Sequence, residues 1–266
     1  EIQFGDWSSD VCSSDLTGVV AGVGAGVDVP RLGDIVTTLG GAFAEYYVCP
    51  AAHAMVLPPG IEALWALGEP LACCVHGSWR YGVQPGQRIA VIGCGFMGLV
   101  CLRLALRQGA SYAVAIEPDS GRHAMALRFG AREVLVPAEA ESRADLDSAF
   151  DLVLEAAGEQ SALDLATSLV AEHGRIAIIG YHQSGHGQRL VDMQQWNYKA
   201  IDVVNAHVRR DDEKVRAMAE GLSLVCSGEI DLASLVAPYP LSAVETAFAD
   251  LEAHRAGLFK AVLVPG

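Results

Sequence analysis

Three glycines spaced as G-x-G-x-x-G follow directly on a short β-branched run and precede an apolar, helix-like stretch. In such a turn Gly93 permits the sharp change of direction, Gly95 lets a pyrophosphate approach the backbone, and Gly98 lets the helix pack close to the strand. The N–H groups at the helix N-terminus then face the phosphates, where the helix dipole favours negative charge. The stretch therefore predicts a dinucleotide site whose cofactor-binding residues are Gly93, Gly95, Phe96, Met97 and Gly98.

An acidic residue ends the next predicted strand. Glu117 follows residues 112–116, at the position from which a carboxylate accepts hydrogen bonds from the ribose 2′-hydroxyl of a dinucleotide. Because a carboxylate repels a 2′-phosphate, Glu117 favours NAD over NADP. Arg122, five residues further on, could accommodate that phosphate and keeps NADP open as the alternative, so both residues are predicted to bind cofactor.

These residues lie within an alternation of strands and helices that predicts an α/β fold with a doubly wound parallel sheet, the Rossmann arrangement. Before this alternation, residues 17–58 have the short strands and turns of a β-barrel-like portion, and residues 61–79 are predicted as a helix interrupted near 68–70. After it, a helix over 243–254 and a strand over 260–264 complete the chain. Strands are predicted at 33–36, 42–48, 88–92, 112–116, 133–136, 151–154, 174–179 and 201–205.

The composition excludes some classes of partner. The 32 acidic and 18 basic residues give the 266-residue chain a formal charge of −14, which offers no basic surface to nucleic acid. The sequence contains no apolar run of about 18 residues, the length that would indicate a membrane span. It also contains no secretory signal pattern. The seven cysteines form no C-x-x-C pair, as expected of reduced thiols, so we expect a cytoplasmic protein.

The first 16 residues differ from the remainder of the chain. Residues 6–16 read Asp-Trp-Ser-Ser-Asp-Val-Cys-Ser-Ser-Asp-Leu, which matches one reading frame of a common sequencing-adapter oligonucleotide. Our hypothesis is that residues 1–16 are an assembly artefact and that the native sequence of an N-terminally truncated fragment begins at Thr17. The alternative is a natural N-terminus without regular structure.

Several sequence blocks in a fixed order carry a family resemblance. The chain resembles the medium-chain dehydrogenase/reductase family, and within it the zinc-dependent alcohol and polyol dehydrogenase branch. The match covers nearly everything from Thr17 onward, and its order and spacing make it more specific than the glycine turn alone. The blocks are residues 18–20, 22–27, 33–36, 41–46, 69–72, 83–86, 93–98 and Glu117.

The resemblance implies a GroES-like catalytic domain into which a Rossmann domain is inserted. Residues 17–76 would be part of the catalytic domain, residues 77–235 the NAD-binding Rossmann domain, and residues 236–266 the return to the catalytic domain. It also implies that Gly158, in a Glu-Ala-Ala-Gly turn after a strand, binds the cofactor near the nicotinamide ribose. Gly180 ends the next strand in a similar position and is predicted to bind cofactor as well.

The resemblance further implies a zinc-requiring enzyme that moves a hydride between NAD and a secondary alcohol, polyol or sugar-like substrate. Of the branch's catalytic zinc ligands only the glutamate of the Glu-Pro motif is present, so Glu69 is the predicted catalytic residue and metal ligand. The other ligands, a cysteine and a Gly-His-Glu, belong just upstream of Thr17, and we therefore expect this fragment to be inactive. Residues 37–40 stand where the family has a four-cysteine lobe, so no structural zinc is predicted.

Other interpretations stay open. The chain could be a zinc-free NAD(P)H reductase of the same superfamily or a non-catalytic dinucleotide-binding remnant, whereas the barrel at residues 17–58 argues against a methyltransferase. His182, His186 and Asp192 could form a metal cluster, but their spacing matches no recognised ligand set and a polar loop is favoured. The expected assembly, from the resemblance, is a homodimer or homotetramer.

Overall fold

The computed structural model describes residues 16–41 and 46–265, which divide into two compact units. One unit is Gly77–His207, and the other combines the described residues before and after it. Within this described part, no helix is both long enough and apolar enough to cross a membrane. Most of the adapter-like segment, residues 1–15, and residues 42–45 of a predicted strand lie outside the described residues.

The N-terminal part of the second unit is a small antiparallel sheet followed by a helix. Its central strand, β2, pairs with both neighbours and is buried from Val36 to Thr38, while the outer strands are more exposed. The Thr37 hydroxyl accepts a hydrogen bond of 3.2 Å from the backbone N–H of Gly68, which connects this sheet to the start of the helix. The elements are β1 (Leu16–Val19), β2 (Ile35–Thr38), β3 (Ala54–Val56) and α1 (Gly68–Tyr81).

The unit Gly77–His207 is a six-stranded parallel sheet with helices between its strands, which confirms the predicted Rossmann fold. The strand order is β6-β5-β4-β7-β8-β9. The central strands read as continuous apolar runs because helices cover both faces of the sheet. The elements are β4 (Arg88–Ile92), α2 (Phe96–Arg107), β5 (Tyr112–Ile116), α3 (Ser120–Arg128), β6 (Glu133–Leu135), α4 (Pro137–Ser142), β7 (Phe150–Glu155), α5 (Gln160–Leu169), β8 (Val170–Ile178), α6 (Met193–Lys199) and β9 (Asp202–Asn205).

The C-terminal part of the second unit begins earlier than the domain boundary predicted at residue 235. A side chain at Gly221 would lie 2.9 Å from the Cβ of Leu71, so the helix that carries Gly221 packs directly on α1. This contact explains why the unit resumes at Val208. Its elements are α7 (Asp211–Cys226), β10 (Val236–Pro240), α8 (Val244–Glu252) and β11 (Lys260–Val264), and β10 pairs in parallel with β11.

The predicted helix over residues 61–79 is wrong in its first part. Residues 63–65 form only a 3-10 turn, and the helix starts at Gly68. Pro70 therefore marks the beginning of α1, because proline is tolerated in the first turn of a helix, where its missing N–H has no intrahelical partner to lose. What the sequence indicates as an interruption is a helix start.

Two strands also differ from the prediction. Residues 46–48, the described end of the strand predicted at 42–48, are not in a strand, and β2 pairs instead with β3 at Ala54–Val56. Strand β10 was not predicted, since it contains Pro238 and Pro240. Among the strands that the structure describes it pairs with β11 alone, and a strand with one neighbour tolerates the lost N–H donors.

Candidate dinucleotide site

The glycine turn connects β4 to α2 and leaves no room for side chains. Gly93 has a φ of +93°, and a Cβ there would lie 3.0 Å from the backbone nitrogen of Ala157. A Cβ on Gly98 would meet the carbonyl oxygen of Gly93 and lie 3.3 Å from the Cβ of Ala156. These contacts give the first and third glycines the roles that their spacing predicts: a turn in the left-handed region and a close approach of the helix to the strand.

The start of α2 has the features of an anion-binding helix N-terminus. Gly95 is the N-cap residue, and its first turn contains no acidic residue. Gly93, Gly95 and Met97 are partly exposed, whereas the Phe96 side chain is buried, so Phe96 could offer a phosphate only its backbone. The N–H groups and the positive end of the helix dipole could thus hold a pyrophosphate.

Glu117 lies directly against this turn. Its side chain is only 4% exposed. One carboxylate oxygen accepts a 2.7 Å hydrogen bond from the Cys94 N–H, and the other accepts a 3.0 Å bond from the Asp119 N–H. The Nε of Arg122 lies 3.7 Å from the Asp119 carboxylate. The structure therefore places the two residues predicted to choose between NAD and NADP beside the glycine turn.

The surroundings of the Cys94 thiol shift its pKa. Burial raises the pKa of Cys94 to about 12, the negative charge of Glu117 adds to the rise, and the positive charge of Arg122 opposes it. The thiol is therefore protonated at neutral pH. Since the thiolate is the reactive form, Cys94 fills space in the turn and is not a nucleophile.

Three turns meet at the carboxyl ends of β4, β7 and β8. In the strand order, β4 and β7 are neighbours although two strands separate them in sequence, which is the switch point where such sheets bind ligands. Gly158, with a φ of +75°, follows β7, and a Cβ on Gly180, after β8, would meet the Gly158 backbone nitrogen. The glycine turn at Gly93 also packs closely against Ala157. Gly93, Gly158 and Gly180 are thus brought together along one edge.

A buried acid that the sequence did not single out holds two of these turns. Glu155, the last residue of β7, is 0% exposed, and its Oε1 accepts hydrogen bonds from the N–H groups of Ala157 (2.9 Å) and Gly158 (2.7 Å). Its Oε2 lies 3.0 Å from the Nε2 of His182. Burial raises the pKa of the Glu155 carboxyl, while these donors and His182 act in the opposite direction. The available signal was an acid that directly follows the apolar run of residues 152–154.

Glu69 lies in the other unit, in the first turn of α1. Its Oε1 accepts a hydrogen bond of 3.3 Å from the Cys73 thiol, and on the same helix the Nε2 of His76 lies 3.1 Å from a carboxylate oxygen of Glu213. Among residues 16–41 and 46–265, no three His, Cys, Asp or Glu side chains converge as a metal site. The described residues alone therefore do not fit a zinc ion, and the metal role of Glu69 stays a prediction.

The polar segment after β8 is organised by hydrogen bonds within the protein. His182 bridges Glu155 and Arg189, whereas Asp192 caps α6 by accepting a 3.0 Å bond from the Gln195 N–H. His186 is exposed. The three residues considered as a metal cluster thus have separate roles and positions, and the polar-loop interpretation fits the structure.

This sheet order, with a glycine turn and an acid after the neighbouring strand, is the architecture of a Rossmann-type dinucleotide-binding protein. Residues 97–223 match the protein-family model described as zinc-binding dehydrogenase. The chain is therefore similar to the zinc-type alcohol and polyol dehydrogenases, and this similarity supports membership of the medium-chain dehydrogenase/reductase family.

Curated relatives of this chain are named as dehydrogenases. The chain is 28% identical over 232 residues to the L-threonine 3-dehydrogenase of Bacillus licheniformis, which covers 85% of this chain and 65% of that protein. It is 26% identical over 263 residues to the 2-dehydro-3-deoxy-L-galactonate 5-dehydrogenase of Pseudoalteromonas atlantica, which covers 95% of this chain and 72% of that protein. The chain thus spans about two thirds of the length of these relatives.

Similar solved structures show the shared fold. A zinc-binding dehydrogenase from Sinorhizobium meliloti, bound to NADP, superposes with a TM-score of 0.84 at 21% identity, covering 98% of this chain and 85% of that one. An alcohol dehydrogenase from Thermus sp. ATN1 superposes with a TM-score of 0.80 at 22% identity, covering 97% of this chain and 85% of that one.

Proposed function

We propose that the whole protein is an NAD-dependent, zinc-requiring oxidoreductase that moves a hydride between the cofactor and a secondary alcohol, polyol or sugar-like substrate. The family supports the reaction class. The named activities of relatives, which include L-threonine 3-dehydrogenase and D-xylulose reductase, support the substrate class. Within this chain, the unit Gly77–His207 would bind the dinucleotide and Glu69 would belong to the catalytic portion.

The contact between Glu117 and the glycine turn carries the cofactor proposal. Each oxygen of Glu117 accepts one backbone N–H, and a carboxylate oxygen can accept a second hydrogen bond, here from a ribose hydroxyl. A buried negative charge at this position would repel a 2′-phosphate, so NAD is the preferred cofactor. NADP is the second candidate, because Arg122 lies beside the same turn and one similar structure holds NADP.

Bound NAD would supply the hydride acceptor, and residues of the three turns would orient it. The N-terminus of α2 would hold the pyrophosphate. Glu117 stands on the β5 side of β4, so the nicotinamide half would extend to the opposite side, toward Gly158 and Gly180 after β7 and β8. This direction follows from the strand order, since β5 and β7 flank β4.

The zinc requirement rests on the family resemblance and on Glu69. A zinc-free reductase of the same superfamily is the second candidate function, and one observation favours it. Within the described residues, Glu69 contacts Cys73 and no group of three donors is arranged for a metal. The two candidates differ in metal content and in the effect of removing the Glu69 carboxylate.

The experiment that tests the proposal is an assay of NAD reduction by secondary alcohols and polyols, performed on the whole protein. The zinc content is measured on the same sample. We expect bound zinc and turnover, and we expect Glu69→Gln to abolish turnover while NADH still binds. Glu141→Gln, the same change at an exposed acid of α4, is the matched control. NADH binding without zinc would support the zinc-free reductase, and turnover unchanged in Glu69→Gln would remove Glu69 from the catalytic site.

The proposed assembly is a homodimer or homotetramer. Strand β9 is an edge of the sheet, whereas β8 lies inside it between β7 and β9. Strand β9 therefore has an edge at which a second subunit could pair, and its Val203 side chain is exposed.

A further inference from the structure

We propose that His182 is a positioning residue for the nicotinamide half of the dinucleotide: as a neutral imidazole with its proton on Nε2, it joins the Arg189 guanidinium to the buried Glu155 carboxylate and so fixes the turns after β7 and β8. The choice of ligand rests on the proposed function. The hydrogen-bond chain itself rests on the geometry of three side chains, all within the unit Gly77–His207.

The first observation is that, among the described residues, three groups hydrogen-bond to the Glu155 carboxylate and each of them can act as the donor. Two are backbone N–H groups, of Ala157 and Gly158, and the third is the Nε2 of His182 at 3.0 Å. Because Glu155 is fully buried, these contacts take the place of the water that a carboxylate needs. Without His182, Oε2 would lose a partner that water does not readily replace.

The second observation sets the position of the proton on His182. Its Nδ1 lies 2.8 Å from the Nε of Arg189. A guanidinium nitrogen can only donate, so Nδ1 must be the acceptor and the proton of the neutral ring must be on Nε2. That tautomer donates to Glu155, so one imidazole satisfies a donor on one side and an acceptor on the other. A second proton, on Nδ1, would point at the N–H of Arg189.

The third observation is that Glu155 and Arg189 both form hydrogen bonds with the backbone of Gly158, one with its N–H and the other with its carbonyl oxygen. Glu155 accepts from the N–H of Gly158, and the Nη2 of Arg189 donates to the carbonyl oxygen of Gly158 at 2.8 Å. Arg189 also donates to the Ser184 carbonyl (2.6 Å) and hydroxyl (2.9 Å). The segment after β8 is thereby tied to the turn after β7.

Close packing restricts the backbone conformation of the turns after β7 and β8. A Cβ on Gly158 would lie 3.1 Å from the carbonyl oxygen of Tyr181, and a Cβ on Gly180 would lie 3.0 Å from the Oε2 of Glu155. The hydrogen-bond chain therefore acts where the backbones of the two turns touch. By the strand order, these turns are on the side of the glycine turn away from Glu117, where the nicotinamide half would lie. A small displacement there would affect that half and leave the adenosine half unchanged.

The test compares two ligands on the full chain: NADH, which needs both halves of the site, and ADP, which needs only the adenosine half. The variant His182→Phe keeps a ring and removes both ring nitrogens, and His182→Gln restores a donor and an acceptor. His186→Asn is the matched control, because His186 is exposed in the same segment and has a φ of 59°, which asparagine tolerates. Nitrogen-15 NMR of the histidine rings reads the tautomer in the unaltered chain.

We expect His182→Phe to weaken NADH binding about tenfold, the size of leaving one buried polar group unsatisfied, with ADP affinity unchanged. His182→Gln should recover part of the loss, His186→Asn should match the unaltered chain, and NMR should show the proton on Nε2. NADH affinity within about twofold of the unaltered chain in His182→Phe, an equal loss for NADH and ADP, or a proton on Nδ1 would each overturn the inference. An unaltered chain that binds neither ligand would instead refute the proposed function.

Discussion

The Glu117 carboxylate accepts a hydrogen bond of 2.7 Å from the backbone N–H of Cys94, the residue between the first two glycines of the turn. This contact joins the end of β5 to the start of the β4–α2 connection. It places a buried negative charge where the ribose next to the pyrophosphate of a bound dinucleotide would lie. The contact makes Glu117 part of the shape of the turn, and in the function proposed above the same carboxylate selects the cofactor.

Replacing Glu117 tests that selection. Glu117→Gln keeps an acceptor for the Cys94 N–H but loses the negative charge and the acceptor for the Asp119 N–H. NADH should therefore bind about tenfold more weakly, while NADPH loses little or gains. The measurement is the dissociation constant of each cofactor from fluorescence titration. Glu141→Gln, which changes an exposed acid of α4 in the same way, should leave the ratio of the two constants unchanged. A ratio that stays the same in Glu117→Gln would show that Arg122 or another group chooses the cofactor.

The close approach of the turns after β7 and β8 is tested at Gly180. A methyl group there would meet the Gly158 backbone nitrogen, and backbone cannot move aside as a side chain can. We expect Gly180→Ala to lower the free energy of unfolding by about 2 kcal/mol or more and to weaken NADH binding in any molecules that fold.

The control for this change is Gly22→Ala, because a Cβ at Gly22 has no atom within 4 Å and its φ lies outside the positive range. Urea unfolding should show little difference between Gly22→Ala and the unaltered chain. Unfolding of Gly180→Ala at the same urea concentration as the control would contradict the contact between the two turns.

The raised pKa of Cys94 predicts low reactivity. With the pKa at about 12, the thiol stays protonated in the folded chain up to strongly alkaline pH, and it is buried as well. Iodoacetamide should therefore modify the exposed Cys226 at pH 8 and leave Cys94 unmodified until the chain unfolds. Mass spectrometry of peptides from folded and urea-treated samples measures both sites. Equal labelling of the two cysteines in the folded chain would show that the turn is open.

Lys199 is predicted to stabilise the Rossmann unit. Its buried ammonium group donates to three backbone carbonyl oxygens at and just beyond the end of α5, those of Thr167 (2.8 Å), Ser168 (2.9 Å) and Val170 (3.0 Å). Lys199→Met keeps the length of the side chain and leaves these acceptors without that donor. We expect a loss of about 2–3 kcal/mol in the free energy of unfolding.

Lys214→Met is the comparison for this substitution, since Lys214 is a partly exposed lysine of α7. It should change stability by less than about 0.5 kcal/mol. If both substitutions cost the same, the contribution of Lys199 would come from its apolar stem and not from its ammonium group.

The edge strand predicts how copies associate. If subunits pair through β9, the side chain at Val203 would lie on one face of the joined sheet, beside side chains of the partner strand. A charge introduced there by Val203→Lys should shift a dimer toward monomer. Light scattering coupled to size exclusion measures the mass in solution. An unaltered oligomer in Val203→Lys would place the interface elsewhere.

The parts of the site that could be predicted from sequence are local. The strand, the glycine turn, the helix and Glu117 follow one another within about one βαβ unit, and each has a conformational requirement that its residue type reveals. The strands of the Rossmann sheet could be predicted for a related reason, because a strand buried on both faces needs a continuous apolar run.

The parts that could not be predicted depend on contacts between distant segments. Glu155 and His182 are far apart in sequence, and neither residue type nor spacing shows that the ends of β7 and β8 bring them within 3.0 Å. Pro70 indicates a break in a helix by itself, and only the observed start of α1 at Gly68 shows that it belongs to a first turn. The resemblance supplied the expected places of Gly158 and Gly180, but not the hydrogen bonds that hold them.

The central claim is that this chain binds NAD(H) through the glycine turn and Glu117, and calorimetric titration of the unaltered chain with NADH and then NADPH tests it most directly. The account predicts one NADH site per chain, with weaker binding of NADPH. A chain that is folded by circular dichroism yet binds neither cofactor would contradict the claim, and tighter binding of NADPH than of NADH would contradict the role given to Glu117.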